Sequence, residues 1–227
     1  MAGIIALVLA AGFSVHPTGT FHDDEAFARD GERWLALEDS ASGARLTSTR
    51  VRVTRVHDAV VDAEGEATGR EVVAVAAPEA GVLLRGAGLR AGPVERVERL
   101  DDSMLPPGEF AAFHFRGAEY RLRARCAAPP AATDEGQACD VVLAGPAGEQ
   151  VLFGVLRWVR SDGGIDFGDA ARPLLLHAGD FDRDGRPDLI LDTTDHYNVA
   201  EPTLFLSAPA SHGGRLQAVA THRSTGC

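Results

Sequence analysis

The chain has 227 residues and a formal net charge of −11, and arginine supplies all of its strongly basic side chains, since there is no lysine. That length suits one large domain or two small ones, with a real core. The acidic balance argues against general nucleic-acid binding and against attraction to anionic membranes.

Taken in order, the chain opens on an apolar run, Gly3 to Phe13. The run is too short to span a bilayer. It reads as the core of a secretory signal peptide over residues 1–13, with small residues at Ala10-Ala11-Gly12 suited to cleavage. The positively charged flank of such a segment is missing, and a buried N-terminal strand or helix is the alternative. The signal reading makes the protein secreted or periplasmic, with no membrane span in the mature chain. Residues 14–30 are polar and mixed, and read as a linker with a turn of helix near Glu25–Arg29. A β-rich domain follows over 31–227, beginning at Trp34-Leu35-Ala36-Leu37, with Trp34 as a core anchor.

Strands are expected at Arg50–Val56, Glu71–Ala76 and Gly81–Leu84, from period-two alternation of apolar and polar residues. The alternation slips after Thr54, which predicts a bulge there. Gly86-Ala87-Gly88 and Ala91-Gly92-Pro93 break the chain, and Met104–Gly108 is a loop. Phe110–Phe115 and Tyr120–Cys126 read as strands around a turn at Arg116-Gly117. His114 falls inside the first of them and reads as structural.

The three cysteines are Cys126, Cys139 and Cys227. Strand phase selects one pairing. Tyr120, Leu122, Ala124 and Cys126 share a face, and so do Cys139, Val141 and Leu143. An antiparallel hairpin with Cys126 opposite Cys139 sets Ala124 against Val141, Leu122 against Leu143 and Arg125 against Asp140. A disulfide there is worth about 3 kcal/mol in the chain-entropy model, and it fits an oxidising compartment. Cys227 is then free or bridges two chains.

Gln150–Val159 is another strand, with Trp158 in the core. Ser161–Ala170 is a loop carrying Asp162, Asp166 and Asp169. Leu174–Leu176, Leu189–Leu191, Thr203–Leu206 and Leu216–Ala220 complete the strands. Short strands with frequent turn signals, and no long amphipathic helix, predict an all-β fold, an antiparallel sandwich or barrel-like domain.

Between two of these strands lies the most informative stretch, Gly179-Asp180-Phe181-Asp182-Arg183-Asp184-Gly185-Arg186-Pro187-Asp188. Asp180, Asp182 and Asp184 hold the first, third and fifth places, Gly185 the sixth and Asp188 the ninth. Calcium takes six to eight hard oxygen ligands from just such a loop. Arg186 offers its backbone carbonyl, and Asp188 closes the cage directly or through a water. Leu191 stands at the twelfth place, where an EF-hand has a glutamate, and the flanks are strands rather than helices. The loop resembles those of FG-GAP (also called VCBS) repeats, known from integrin α-chain propellers and bacterial secreted proteins. The resemblance implies Ca²⁺ held by Asp180, Asp182, Asp184, the Arg186 carbonyl and Asp188, with the loop at 180–188. It covers one repeat, so it does not imply a propeller. Without the twelfth-place glutamate, an affinity on the order of 10⁻⁴ M or somewhat tighter is expected.

A second polar cluster, Asp192, Asp195, His196, Tyr197, Asn198 and Glu201, follows the next strand. It reads either as a hydrogen-bonded turn or as an acid–base pair of a secreted hydrolase. His57, His114, His177 and His212 lack zinc-ligand spacing, and no nucleophile elbow or phosphate-binding glycine loop is present. The first reading is therefore a non-enzymatic, exported, calcium-binding β domain, whose partner is a glycan or an envelope protein. The hydrolase is the alternative.

Overall fold

The computed structural model describes residues 12–40, 43–100, 109–126, 137–159, 165–166, 173–194, 196–207 and 215–225, with the backbone alone at 126, 137–138, 156–159 and 165–166. The apolar run expected as a signal peptide therefore lies mostly outside the described residues, as do the Met104–Gly108 loop and Cys227.

The strands in chain order are β1 (Ser14–Pro17), β2 (Gly19–Phe21), β3 (Arg33–Ser40), β4 (Gly43–Val56), β5 (Gly69–Ala74), β6 (Val82–Arg85), β7 (Gly92–Arg96), β8 (Glu98–Arg99) and β9 (Glu109–Phe115). Then come β10 (Ala118–Cys126), β11 (Gln137–Gly145), β12 (Gly148–Val159), β13 (Ile165–Asp166), β14 (Leu174–Asp180), β15 (Asp188–Asp192), β16 (Val199–Ala200), β17 (Pro202–Ser207), β18 (Leu216–Thr221) and β19 (Ser224–Thr225). The described residues contain no helix, so the fold is all-β as expected.

Eleven strands form one antiparallel sheet, ordered β1-β6-β3-β4-β7-β14-β15-β17-β18, with β5 joined to β4 and β2 joined to β5. The sheet curls into a nearly closed barrel, and β1 packs beside β17 and β18. A second sheet, β13-β12-β11-β10-β9-β8, lies against part of it. β16 and β19 form a separate pair.

Side-chain alternation assigns each strand face to a core. Leu37, Leu46, Leu84, Ile190, Leu204 and Leu206 fill the barrel. On the far side of β3 and β6, Trp34, Ala36 and Leu83 pack with Phe21, Val51 and Val72. On the far side of β15 and β17, Leu189, Leu191 and Phe205 meet Phe113, Leu122 and Leu143 of the second sheet. β15 and β17 are thus buried on both faces, which is why they read as unbroken apolar runs.

The β10–β11 register is the expected one: Cys126 opposite Cys139, Arg125 opposite Asp140, Ala124 opposite Val141 and Leu122 opposite Leu143. The β9–β10 turn is also where expected, with Arg116 and Gly117 both at positive φ, 48° and 77°. Two expectations need correction. Residues 14–30 are not simply a linker with a helical turn: Ser14–Pro17 pairs with β6 and Gly19–Phe21 with β5. Buried Val15, His16 and Phe21 anchor this segment, while Gly19 and Thr20 face outward. There is no bulge after Thr54, because β4 pairs with β5 without a break from Val51 to Val56. The slip in alternation is instead an exposed edge of the chain, at Thr54 and Arg55.

Two seams hold this arrangement. In the first, β7 meets β14 at Gly179, opposite Arg96. A Cβ on Gly179 would stand 2.8 Å from Val94 Cγ1 and 3.0 Å from the Glu95 carbonyl. Gly179→Ala should therefore push the strands apart and lower stability by about 1–3 kcal/mol, read from a denaturant melt.

The second seam clasps the start of the described chain to its end. His16, fully buried, lies 4.4 Å from the His222 ring, centroid to centroid, among Phe21, Phe27 and Trp34. His16 Nδ1 donates to the Pro17 carbonyl and His222 Nε2 to the Glu25 carbonyl. Among the described residues, neither remaining ring nitrogen, His16 Nε2 or His222 Nδ1, has a hydrogen-bond partner. Burial pushes His16 down to about 4 and also lowers His222. The unfolded chain binds protons that these folded imidazoles refuse. Stability should therefore fall as the pH drops from about 6.5 towards 4, with His16 contributing on the order of 2–3 kcal/mol. Urea midpoints at pH 7 and pH 4.5 should show that loss, and His16→Phe should reduce it.

Candidate metal centre

The aspartate stretch spans the turn between β14 and β15. Asp180 is the last residue of β14 and Asp188 the first of β15. Between them Phe181 turns inward and is 1% exposed in the barrel core, which fixes the loop from below. Arg183 and Gly185 take positive φ, 65° and 86°. Glycine adopts that conformation freely, whereas arginine is strained there. The Arg183 guanidinium donates to the Arg90 carbonyl at 3.1 Å, tying the loop to the segment before β7.

Carboxylate oxygens of Asp180, Asp182 and Asp188 lie within 4.8 Å of one another. Asp180 and Asp188 are buried, and Asp182 is half-buried. Asp188 accepts four hydrogen bonds: from the Phe181 and Asp182 amides at 2.7 and 3.3 Å, and from the Ser207 amide and hydroxyl at 2.8 and 3.2 Å. Asp180 accepts from the amides of Asp184 (3.0 Å) and Gly185 (2.9 Å). The turn is thus wound around its own carboxylates.

These bonds do not cancel the cost of crowding acids. Burial, with the Asp182 charge behind it, pushes Asp188 up to about 8. Burial and the Asp184 charge raise Asp182 as well. One cation approaches from the second sheet. Arg116, in the β9–β10 turn, has Nη2 3.9 Å from Asp180 Oδ2 and donates to the Gly185 carbonyl at 3.0 Å, while Glu95 holds its other side.

Of the residues expected as ligands, the fold brings together Asp180, Asp182 and Asp188. Asp184 points elsewhere: it is exposed, and its oxygens accept from the Arg186 amide at 2.9 Å and the Ser207 hydroxyl at 2.8 Å. Arg186 is exposed at the end of the loop. Sequence reasoning missed Ser207 and Arg116. The Arg116-Gly117 turn was visible, but not how far its side chain reaches. Nothing in the sequence marks Ser207. Of the loop 161–170, only the backbone of 165–166 is described, as β13, so Asp162 and Asp169 lie outside the described residues.

The second polar cluster is knitted into a turn. Asp192 Oδ1 accepts from the amides of Thr194 and Glu201 at 3.1 and 3.0 Å. Thr193 links Glu201 and Thr203 by its hydroxyl, and Arg223 pairs with Glu201. Thr194 donates to the His196 carbonyl at 2.9 Å, and the His196 ring lies by Tyr197, centroids 4.8 Å apart. Among the described residues no hydrogen bond joins the His196 ring to a carboxylate. Asp195 lies outside them.

No protein-family model matches the chain, and neither does any curated protein or solved structure. Among the described residues no helix is long and apolar enough to cross a membrane. The chemistry of the site therefore rests on its donors. Three converging carboxylates are hard oxygen ligands, suited to Ca²⁺ or Mg²⁺ rather than to a soft transition metal.

The raised carboxylate gives a signed prediction. Between its ordinary value of 3.8 and about 8, the folded Asp188 holds a proton that the unfolded chain has lost. In EDTA, stability should fall as pH rises through that range. A bound cation should flatten the slope, and so should Asp188→Asn in EDTA. Urea midpoints at pH 5.5 and pH 8 check both.

Proposed function

We propose that this is an exported β domain of structural or binding role, stabilised by a calcium ion in the Asp180–Asp188 turn. One observation carries the reading: three carboxylates from a single turn converge at the buried edge of the sheet. The resemblance of the loop to an FG-GAP repeat supports calcium over magnesium. So does the irregular shape of the loop, since calcium tolerates varied oxygen cages while magnesium demands a near-octahedral one. The Arg186 carbonyl and water on the open side would complete the shell, and Asp184 would join it only by turning from its bonds to the Arg186 amide and the Ser207 hydroxyl.

The ion would act as a staple. Asp180 ends β14, Asp188 begins β15, and Ser207 ties the Asp188 and Asp184 carboxylates to β17. Binding the folded chain alone, calcium stabilises it by mass action. A Cys126–Cys139 disulfide belongs to the same reading. The two cysteines stand opposite each other in the β10–β11 register, which supports the pairing. Both devices suit an oxidising, calcium-rich compartment, periplasmic or extracellular. The outward task is binding a glycan or another envelope component. The hydrolase alternative draws less support, because Asp192 and Glu201 are committed to the turn that holds them.

Thermal unfolding in EDTA, then with added Ca²⁺ or Mg²⁺, tests the proposal. Calcium should raise the midpoint by about 2–4 °C for each kcal/mol gained, and magnesium should do less. Asp182→Ala should abolish the rise. No shift at millimolar calcium would sink the calcium reading.

A further inference from the structure

A cleft of about 450 Å³ opens beside the aspartate loop, between Tyr120 of β10, the β11–β12 turn, Arg186-Pro187 and Arg215-Leu216. Its framework is rigid. Gln150 clamps the backbone of Leu216, with the Leu216 amide donating to its Oε1 at 2.9 Å. The Tyr120 ring stacks on Phe113, centroids 5.2 Å apart and nearly parallel. Its other side is covered by Gly145, where a Cβ would stand 2.8 Å from the ring.

The charges around the cleft are unbalanced. Glu149, the acid on its rim, is spent on Arg123 and Arg125. The Ser207 hydroxyl is spent on Asp184 and Asp188. Arg186 and Arg215 are exposed on the rim, and among the described residues neither has a carboxylate within ion-pair distance. Most other arginines facing the second sheet are paired, as Arg116, Arg121, Arg123 and Arg125 are. Two uncommitted guanidinium groups thus stand at one cleft, in a chain of net charge −11. Burial raises the Tyr120 phenol and the nearby Arg186 charge opposes that, so the ring keeps its hydroxyl proton as a donor. Leu143, Pro187 and Leu216 add apolar wall.

We propose that this cleft binds a small organic oxyanion, its carboxylate or phosphate head held by Arg186 and Arg215 and its ring-sized body resting on the apolar wall. Planar guanidinium groups match either head in two-point contact. The inference stands apart from the calcium reading, because Arg215 and Tyr120 lie outside the loop and Arg186 enters through its side chain.

The test is isothermal titration of the full chain with glucuronate, glucose 6-phosphate and neutral glucose, in calcium and again in EDTA. At least one of the two anions should bind saturably and more tightly than glucose, and which one binds identifies the head group. Arg186→Gln and Arg215→Gln should each weaken binding by about tenfold or more, with the unfolding midpoint unchanged. Arg55→Gln, on a distant strand, should change nothing. Anions that bind no better than glucose would overturn the proposal, and so would unchanged binding in the folded double variant. The two readings fail separately: a lost calcium shift with anion binding intact removes only the calcium site, and the converse removes only the cleft.

Discussion

The structure depends on the burial of one carboxylate at the head of β15. Asp188 is 0% exposed, at the point where the barrel and the second sheet share a layer. An ionised carboxylate taken out of water is costly unless it is richly hydrogen-bonded or paired. Here the loop supplies two donors and Ser207 supplies two more. Satisfying Asp188 therefore holds the turn against β15 and β17 together. What those bonds leave uncompensated is part of the burial cost, with the Asp182 charge behind it, and that remaining cost is what a cation would relieve.

The same layer explains how the molecule is assembled. β15 and β17 turn Ile190, Leu204 and Leu206 into the barrel and Leu189, Leu191 and Phe205 towards the second sheet. A disturbance in the aspartate turn would reach both cores. Arg116 adds a polar strut from the second sheet to the loop, and its own backbone is held at positive φ. Strain of this kind persists where the surroundings over-determine it, and Glu95, the Gly185 carbonyl and Asp180 all engage this side chain.

Much of this was legible because it is local. Period-two alternation placed most long strands, and the phase of Leu122, Ala124 and Val141 set the hairpin register that β10 and β11 adopt. The Asp180–Asp188 spacing put the turn between two strands. What escaped was non-local. β1 and β2 are short, and polar outside Val15, His16 and Phe21. Only their distant partners in the sequence, β6 and β5, make them strands. Ser207 and Arg116 reach the loop through tertiary packing, which no spacing rule encodes. The His16–His222 contact joins opposite ends of the described chain for the same reason.

Leu191 shows how the fold constrains the kind of site this turn can form. At the twelfth place of the loop it is fully buried between the sheets, among Leu189, Phe205 and Leu122. β15 has already turned that position away from the aspartates, so no side chain there can close the cage as the helix of an EF-hand does. The cage must be completed from within the turn and from water on its open side, where Asp182 and Asp184 meet solvent. A coordination shell finished by solvent suits an ion that accepts loose geometry and variable ligand number. On the calcium reading such a shell would bind weakly, and its stabilisation would be confined to places where that ion is abundant. On the calcium reading, the absence of a twelfth ligand is therefore a consequence of building the loop between two buried strands.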